Sequence, residues 1–180
     1  VFLDRDGTLI EDVGYISDPK RVRVLPGVVE GLTQLRSAGF ALVVVSNQSG
    51  LARGYFTFEQ FNAVHKQFLA LLTQAGITLT GCYYCPYYSQ GSVKAYCRES
   101  DERKPAPGML LRAARNHSLH LPSSWMIGDG SVDVSAGIAA GVRTIKLSAA
   151  DDRPIGDSEP KPDFFAENLI EASTIIISQI

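Results

Sequence analysis

The sequence predicts an α/β fold of three layers, Rossmann-like, with a central parallel sheet and helices on both faces. Two observations carry that prediction. Short β-rich apolar runs alternate along the chain with stretches whose apolar residues recur at helical spacing. Polar, acidic clusters follow directly on two of the apolar runs, where the ligands of such sheets sit. The 180 residues are read as one domain spanning 1–180, with no internal repeat and no interdomain linker.

Each element has its own signal. Val1–Leu3 reads as the end of a buried strand. Val28–Ala38 carries Val28, Leu32 and Leu35 at helical spacing and stops at Gly39. Phe40–Val45 is a continuous apolar run, expected as a central strand. Phe58–Ala75 is the longest helix, with Thr57 as N-cap and Gly76 as its stop. Gly81–Cys85 reads as a strand and Pro107–Asn116 as a helix. Trp125–Ile127 is a short strand, Ser131–Ala140 a helix closed by Gly141, and Val142–Leu147 a further strand. Ala149–Lys161 is a polar loop, and Phe164–Ile180 combines a short strand with a closing helix. Pro86–Lys104 breaks the alternation, and a polar loop of that length in a compact domain points to function.

Composition excludes several classes. Lys and Arg total 17 against 19 Asp and Glu, a net charge of -2, so no nucleic-acid partner is expected. The apolar runs are far too short to span a bilayer, and no membrane partner is expected. Three cysteines make a poor disulfide framework, and no secretory signal pattern is visible. The chain opens on Val1 rather than Met, so preceding residues are expected to be missing. A reduced, cytoplasmic protein is the expectation, and a monomer.

The chemistry starts at Asp4-Arg5-Asp6-Gly7-Thr8, directly after the first apolar run. Two carboxylates separated by one residue at a strand end can converge on one site. One then suits a nucleophile and Mg²⁺ ligand, the other a general acid and base. Mg²⁺ takes few carboxylates plus phosphate oxygens, so a second acidic cluster should exist. Gly128-Asp129-Gly130-Ser131-Val132-Asp133 supplies it after the strand at Trp125–Ile127. Ser46-Asn47-Gln48-Ser49 offers a hydroxyl and backbone N–H groups for phosphate oxygens. Lys104 can set a fixed positive charge beside a phosphoryl group. Read blandly, the acids are loop residues or helix caps, Ser46 is a turn residue and Lys104 a surface charge.

The ordered set Asp4-x-Asp6-Gly7-Thr8, Ser46, Lys104 and Asp129-x-x-x-Asp133 resembles the four motifs of the haloacid dehalogenase superfamily. The stretches LDRDGTLI, GFALVVVSNQSGLARGYF, YYCPYYSQGSV, RKPAPGMLL and MIGDGSVD resemble the heptose bisphosphate phosphatases and their histidinol-phosphatase relatives. The resemblance covers nearly the whole chain and weakens after Leu147. It implies the haloacid dehalogenase fold with a minimal cap, a flap after Asp6 and the Pro86–Lys104 loop.

With the chemistry, the resemblance implies a Mg²⁺-dependent phosphatase acting through an aspartyl-phosphate. Asp4 is the nucleophile and Asp6 the acid and base. Asp4, the backbone carbonyl of Asp6 and Asp129 hold the metal. Lys104 and the Ser46 hydroxyl stabilise the transferring phosphoryl group. Asp133 either orients Lys104 or a metal-bound water, or only starts a helix. Substrate contacts fall to Asp12, Val13, Gly14 and Tyr15, to Asn47, Gln48 and Ser49, and to Arg53 and Arg103. Two arginines suit a doubly phosphorylated partner, since a guanidinium pairs two donors with a phosphate. The implied substrate is D-glycero-D-manno-heptose 1,7-bisphosphate, losing its 7-phosphate on the route to nucleotide-activated heptose and lipopolysaccharide, with the anomer open. Histidinol phosphate is the alternative substrate, and a non-catalytic phosphosugar-binding protein the alternative class.

Many relatives carry a structural zinc loop, Cys-x-His and then Cys-x-Cys before Arg-Lys-Pro. Here the first half reads Cys85-Pro86-Tyr87 and the second is Ser100-Asp101-Glu102, so three of four ligands are replaced. Cys82, Cys85 and Cys97 offer a rescue set, but Cys82 and Cys85 at odd spacing on a strand face opposite ways. No structural zinc is expected. Tyr83, Tyr84, Tyr87, Tyr88 and Tyr96 are expected to pack around the loop instead.

Overall fold

The computed structural model describes residues 1–148 and 160–180. Most of the polar loop expected at Ala149–Lys161 lies outside the described residues. Six strands form one sheet: β1 (Phe2–Leu3), β2 (Val43–Asn47), β3 (Gly81–Cys85), β4 (Trp125–Gly128), β5 (Arg143–Leu147) and β6 (Phe164–Ala166). Their order is β3-β2-β1-β4-β5-β6, and every neighbouring pair is parallel. The helices are α1 (Val28–Ser37), α2 (Gly50–Arg53), α3 (Phe58–Gln74), α4 (Gly108–His117), α5 (Ser131–Ala140) and α6 (Leu169–Ile177).

Alternation along the strands builds two cores from one sheet. Leu3, Val44, Trp125 and Ile127 join Leu32 and Leu35 of α1, Val64 and Phe68 of α3, and Ala172 and Ile176 of α6. Their sequence neighbours Phe2, Val43, Val45 and Met126 join Met109, Leu110 and Ala113 of α4 and Ala136 and Ala140 of α5. Successive side chains point to opposite faces, so a strand apolar at every position is covered on both. The helix α3 starts as its sequence predicts: Thr57 Oγ1 accepts from the Gln60 N–H, and Gln60 Oε1 accepts from the Thr57 N–H at 2.8 Å.

The strand expected at Phe40–Val45 is displaced towards the carboxyl end. Pairing with β1 begins only at Val43, opposite Phe2, and β2 runs on through Ser46 and Asn47. The apolar run predicts what is buried, while the ladder is set by where the neighbour starts. Ser46 therefore lies on the strand rather than after it. A further short helix, α2, follows β2 and ends at Arg53.

Candidate active site

Parallel order in the sheet brings the carboxyl ends of β1, β2 and β4 together, and the two acidic clusters meet there. Oxygens of Asp4, Asp129 and Asp133 all lie within 4.8 Å of one another, the one such group of acidic, Cys or His side chains among the described residues. Two glycines make the approach possible. A Cβ on Gly7, whose φ is +79°, would collide with the Asp129 carboxylate, and one on Gly128 would collide with that of Asp133.

Lys104 is buried beneath this cluster with all three donors used. Its Nζ lies 2.7 Å from Asp4 Oδ1, 2.6 Å from Asp133 Oδ1 and 2.8 Å from the Val45 carbonyl. Burial alone would lower its pKa, but the carboxylates of Asp4 and Asp133 outweigh that and hold it above the ordinary lysine value. Asp133 makes both protein contacts: Oδ1 lies 2.6 Å from Lys104 Nζ, while Oδ2 accepts from the Gly130 N–H at 3.1 Å at the start of α5.

One ammonium does not neutralise three carboxylates. Burial drives Asp4 up to about 7, against the pull of Lys104, with Asp133 and Asp6 adding to the rise. Asp129 stands at the mouth of the cluster, and its partial burial followed by the Asp133 charge raises it to about 6. A crowded set of hard oxygen donors short of positive charge is the donor chemistry of a Mg²⁺ site, and these residues fit one.

Asp6 is held apart from this cluster. Arg5 donates to its carboxylate from Nε at 3.2 Å and from a terminal nitrogen at 2.9 Å. Gln48 Nε2 donates to Asp6 at 2.9 Å and to Ser46 Oγ at 2.9 Å, and the Ser46 hydroxyl faces Asp6 at 3.4 Å. The guanidinium of Arg5 is itself buried, 6.0 Å from the ring of Phe61. Sequence reasoning missed Arg5. Its one sequence signal is a cation set between two acids, adjacent to the Asp6 it pairs with.

The residues expected to contact substrate divide. Asp6, Asp12, Gly14, Tyr15, Asn47, Gln48 and Ser49 line one cavity of about 340 Å³ with Arg5 and Phe56. Within it, Asp12 Oδ1 accepts from the Gly14 N–H at 2.8 Å, shaping the flap, and Tyr15 is exposed edge-on to Tyr55 at 4.4 Å. Val13 packs on the core instead. Both polar atoms of the Asn47 side chain are used by the backbone of Lys104, at 2.8 and 3.0 Å, so Asn47 braces the lysine. Arg53 and Arg103 do not line that cavity; they stand outside it at a rim, both against the ring of Tyr88.

Cys82 and Cys85 on β3, before the Pro86–Lys104 loop, belong to different cores on opposite faces of the sheet, and exposed Cys97 within it donates to the Ser89 carbonyl. Aromatic contacts hold it: Arg98 lies 3.8 Å over Tyr87, Tyr87 pairs with Tyr96, and Tyr84 packs 4.4 Å from Phe61. No helix among the described residues is long and apolar enough to cross a membrane.

Known proteins match this chain in sequence and in fold. The sequence model of the HAD-hydrolase-like family matches residues 102–172. The D-glycero-beta-D-manno-heptose-1,7-bisphosphate 7-phosphatase of Escherichia coli K12 is 39% identical over 99% of this chain and 94% of its own. The enzyme of that name from Pasteurella multocida is 36% identical over 98% and 95%. The crystal structure of D,D-heptose 1,7-bisphosphate phosphatase from B. bronchiseptica, complexed with magnesium and phosphate, superposes with a TM-score of 0.85 at 27% identity, covering 100% of this chain and 98% of that one. With a six-stranded parallel sheet, carboxylates converging at its carboxyl edge and relatives matched end to end, the chain is a phosphatase of the HAD-like hydrolases and belongs to the D-glycero-beta-D-manno-heptose-1,7-bisphosphate 7-phosphatase family.

Proposed function

We propose that this chain removes the 7-phosphate of D-glycero-D-manno-heptose 1,7-bisphosphate, with Asp4 as nucleophile. The observation that carries the reading is the convergence of Asp4, Asp129 and Asp133, two of them paired with buried Lys104, with Asp6 held separately beside the cavity. The names of the relatives direct the choice of anomer to β.

A Mg²⁺ ion bound by Asp4, Asp129 and the Asp6 carbonyl would supply the positive charge that lets a carboxylate approach a phosphate dianion. The rest falls to the chain. Lys104 fixes Asp4 Oδ1, leaving the other oxygen to attack phosphorus and form the aspartyl-phosphate. Asp6 gives its proton to the departing sugar oxygen. It then takes one from the water that attacks the phosphorus and frees Asp4. Arg5 and Gln48 keep the Asp6 carboxylate aimed through both steps. Ser46 and Lys104 offset the charge of the transferring group. The protein works as a monomer in the cytoplasm, a setting that suits its three free thiols.

The test is Mg²⁺-dependent phosphate release from both heptose 1,7-bisphosphate anomers, histidinol phosphate and fructose 1,6-bisphosphate, compared by kcat/KM. The β-heptose bisphosphate is expected to lead, and Asp4→Asn to abolish turnover while substrate still binds. Preference for histidinol phosphate would replace the substrate. No turnover of any of the four by folded, Mg²⁺-supplied protein would overturn catalysis.

A further inference from the structure

A second set of charges gathers at the rim, this time cationic and without counter-charges. Arg53, the last residue of α2, and Arg103, beside Lys104, both lie against the ring of Tyr88, at 4.1 and 5.0 Å from its centroid. The ion pairs among the described residues join Arg5 to Asp6, Lys104 to Asp4 and Asp133, and Arg112 to Glu102; none reaches Arg53 or Arg103. The Nε of Arg53 is buried and has no acceptor among the described residues.

Tyr88 is itself fixed. Its hydroxyl donates to Gln90 Oε1 at 2.9 Å, its N–H to the Tyr96 carbonyl at 3.2 Å, and its carbonyl accepts from the Gly91 N–H at 3.0 Å. The loop is pinned to α2 through the Ser92 hydroxyl on the Arg53 carbonyl and the Val93 N–H on that of Ala52, both 2.9 Å. A terminal nitrogen of Arg103 reaches the Tyr87 carbonyl at 3.4 Å.

A carboxylate in the place of Tyr88 would also draw two arginines together, but it would cancel their charge. An aromatic face attracts guanidinium through its quadrupole and leaves the charge in place for a ligand. Holding two unneutralised cations on one ring is unfavourable by itself and becomes favourable when a dianion joins them.

We propose that Tyr88 is a positioning residue that holds the guanidinium groups of Arg53 and Arg103 against one ring to receive the phosphate that is not hydrolysed. The role rests on the bisphosphate reading above. It gives the loop that lacks the zinc-ligand pattern a part in substrate selection through its tyrosine.

The experiment compares β-heptose 1,7-bisphosphate with heptose 7-phosphate, which has the same reacting ester and no second anion. Tyr88→Leu is expected to lower kcat/KM for the bisphosphate about tenfold, through KM, and to leave the monophosphate unchanged. Tyr88→Phe keeps the ring face and is expected to stay near wild type. Fluorinated phenylalanines at position 88 weaken the face at constant shape and should raise KM for the bisphosphate stepwise. Equal losses on both substrates, no loss on either, or a flat fluorination series would overturn the role of Tyr88 and leave the substrate reading standing. A wild type that does not favour the bisphosphate would overturn the substrate reading, and the role of Tyr88 with it.

Discussion

The floor of the site and its rim are built from opposite charges by different means. On the floor, carboxylates outnumber cations, Asp133 and Lys104 are buried, and the contacts between them and Asp4 are short ion pairs. At the rim, cations stand unpaired and are arranged by ring faces from a loop. A reacting phosphate needs a nucleophile held rigidly, and the anionic floor calls for a metal ion to make that nucleophile approachable. A phosphate that only anchors the substrate needs standing positive charge. The two ends of the site therefore differ in the way that the proposed substrate, with two phosphates of different fates, would require.

The sharpest test of that contrast is Lys104→Met. It leaves Asp4 and Asp133 facing each other without their shared ammonium. Turnover is expected to fall by about 10²–10³-fold, as when a preorganised charge is removed from a transition state. Steady-state kinetics should show equal losses on bisphosphate and monophosphate, because the floor serves the ester common to both. A loss confined to the bisphosphate would break the division between floor and rim.

Gln48→Leu comes next. It removes the amide that joins Asp6 to Ser46, while Arg5 still holds the acid. A fall of about tenfold in kcat with little change in KM is expected, the size of one lost positioning hydrogen bond. Formation of the aspartyl-phosphate from an aryl phosphate, followed as the burst of released phenol, should be spared, since a good leaving group needs no proton. An equal loss in that burst would mean that Gln48 acts on Asp4 or the phosphoryl group instead.

Much of the floor is legible in the sequence, because strands buried on both faces read as continuous apolar runs and the acids follow them directly. Among the alternatives left open for Asp133, contact with Lys104 and a place at the helix start are both real contacts, made by different oxygens of one carboxylate. The ends of β2 are misplaced because apolar content reports burial, whereas the ladder depends on a partner 41 residues away. Helix α2 has four residues, too few for any periodicity to register. The rim is the least legible part. Arg53, Tyr88 and Arg103 come from three segments, and a run of tyrosines reads as packing until the fold sets two arginines against one ring.

The smallest effect concerns the support behind Asp6, midway between the two regions. His65 stacks on Phe61 at 5.9 Å, and Phe61 lies under the Arg5 guanidinium. Burial first, and then the Arg5 charge, lower the His65 pKa from its ordinary 6.5. Below pH 6.5 the unfolded chain then binds more protons at this position than the folded one, so the contribution to stability falls as pH falls. His65→Phe removes that term. Its Tm should drop less than that of wild type between pH 7.5 and 5.5, by about 1–3 °C. Asp4 and Asp129, raised in the fold, act with the opposite sign over these pH values, but they are present in both proteins and cancel in the difference. Identical slopes would remove His65 from the electrostatics of Arg5 and leave the aim of Asp6 to the direct bonds from Arg5 and Gln48.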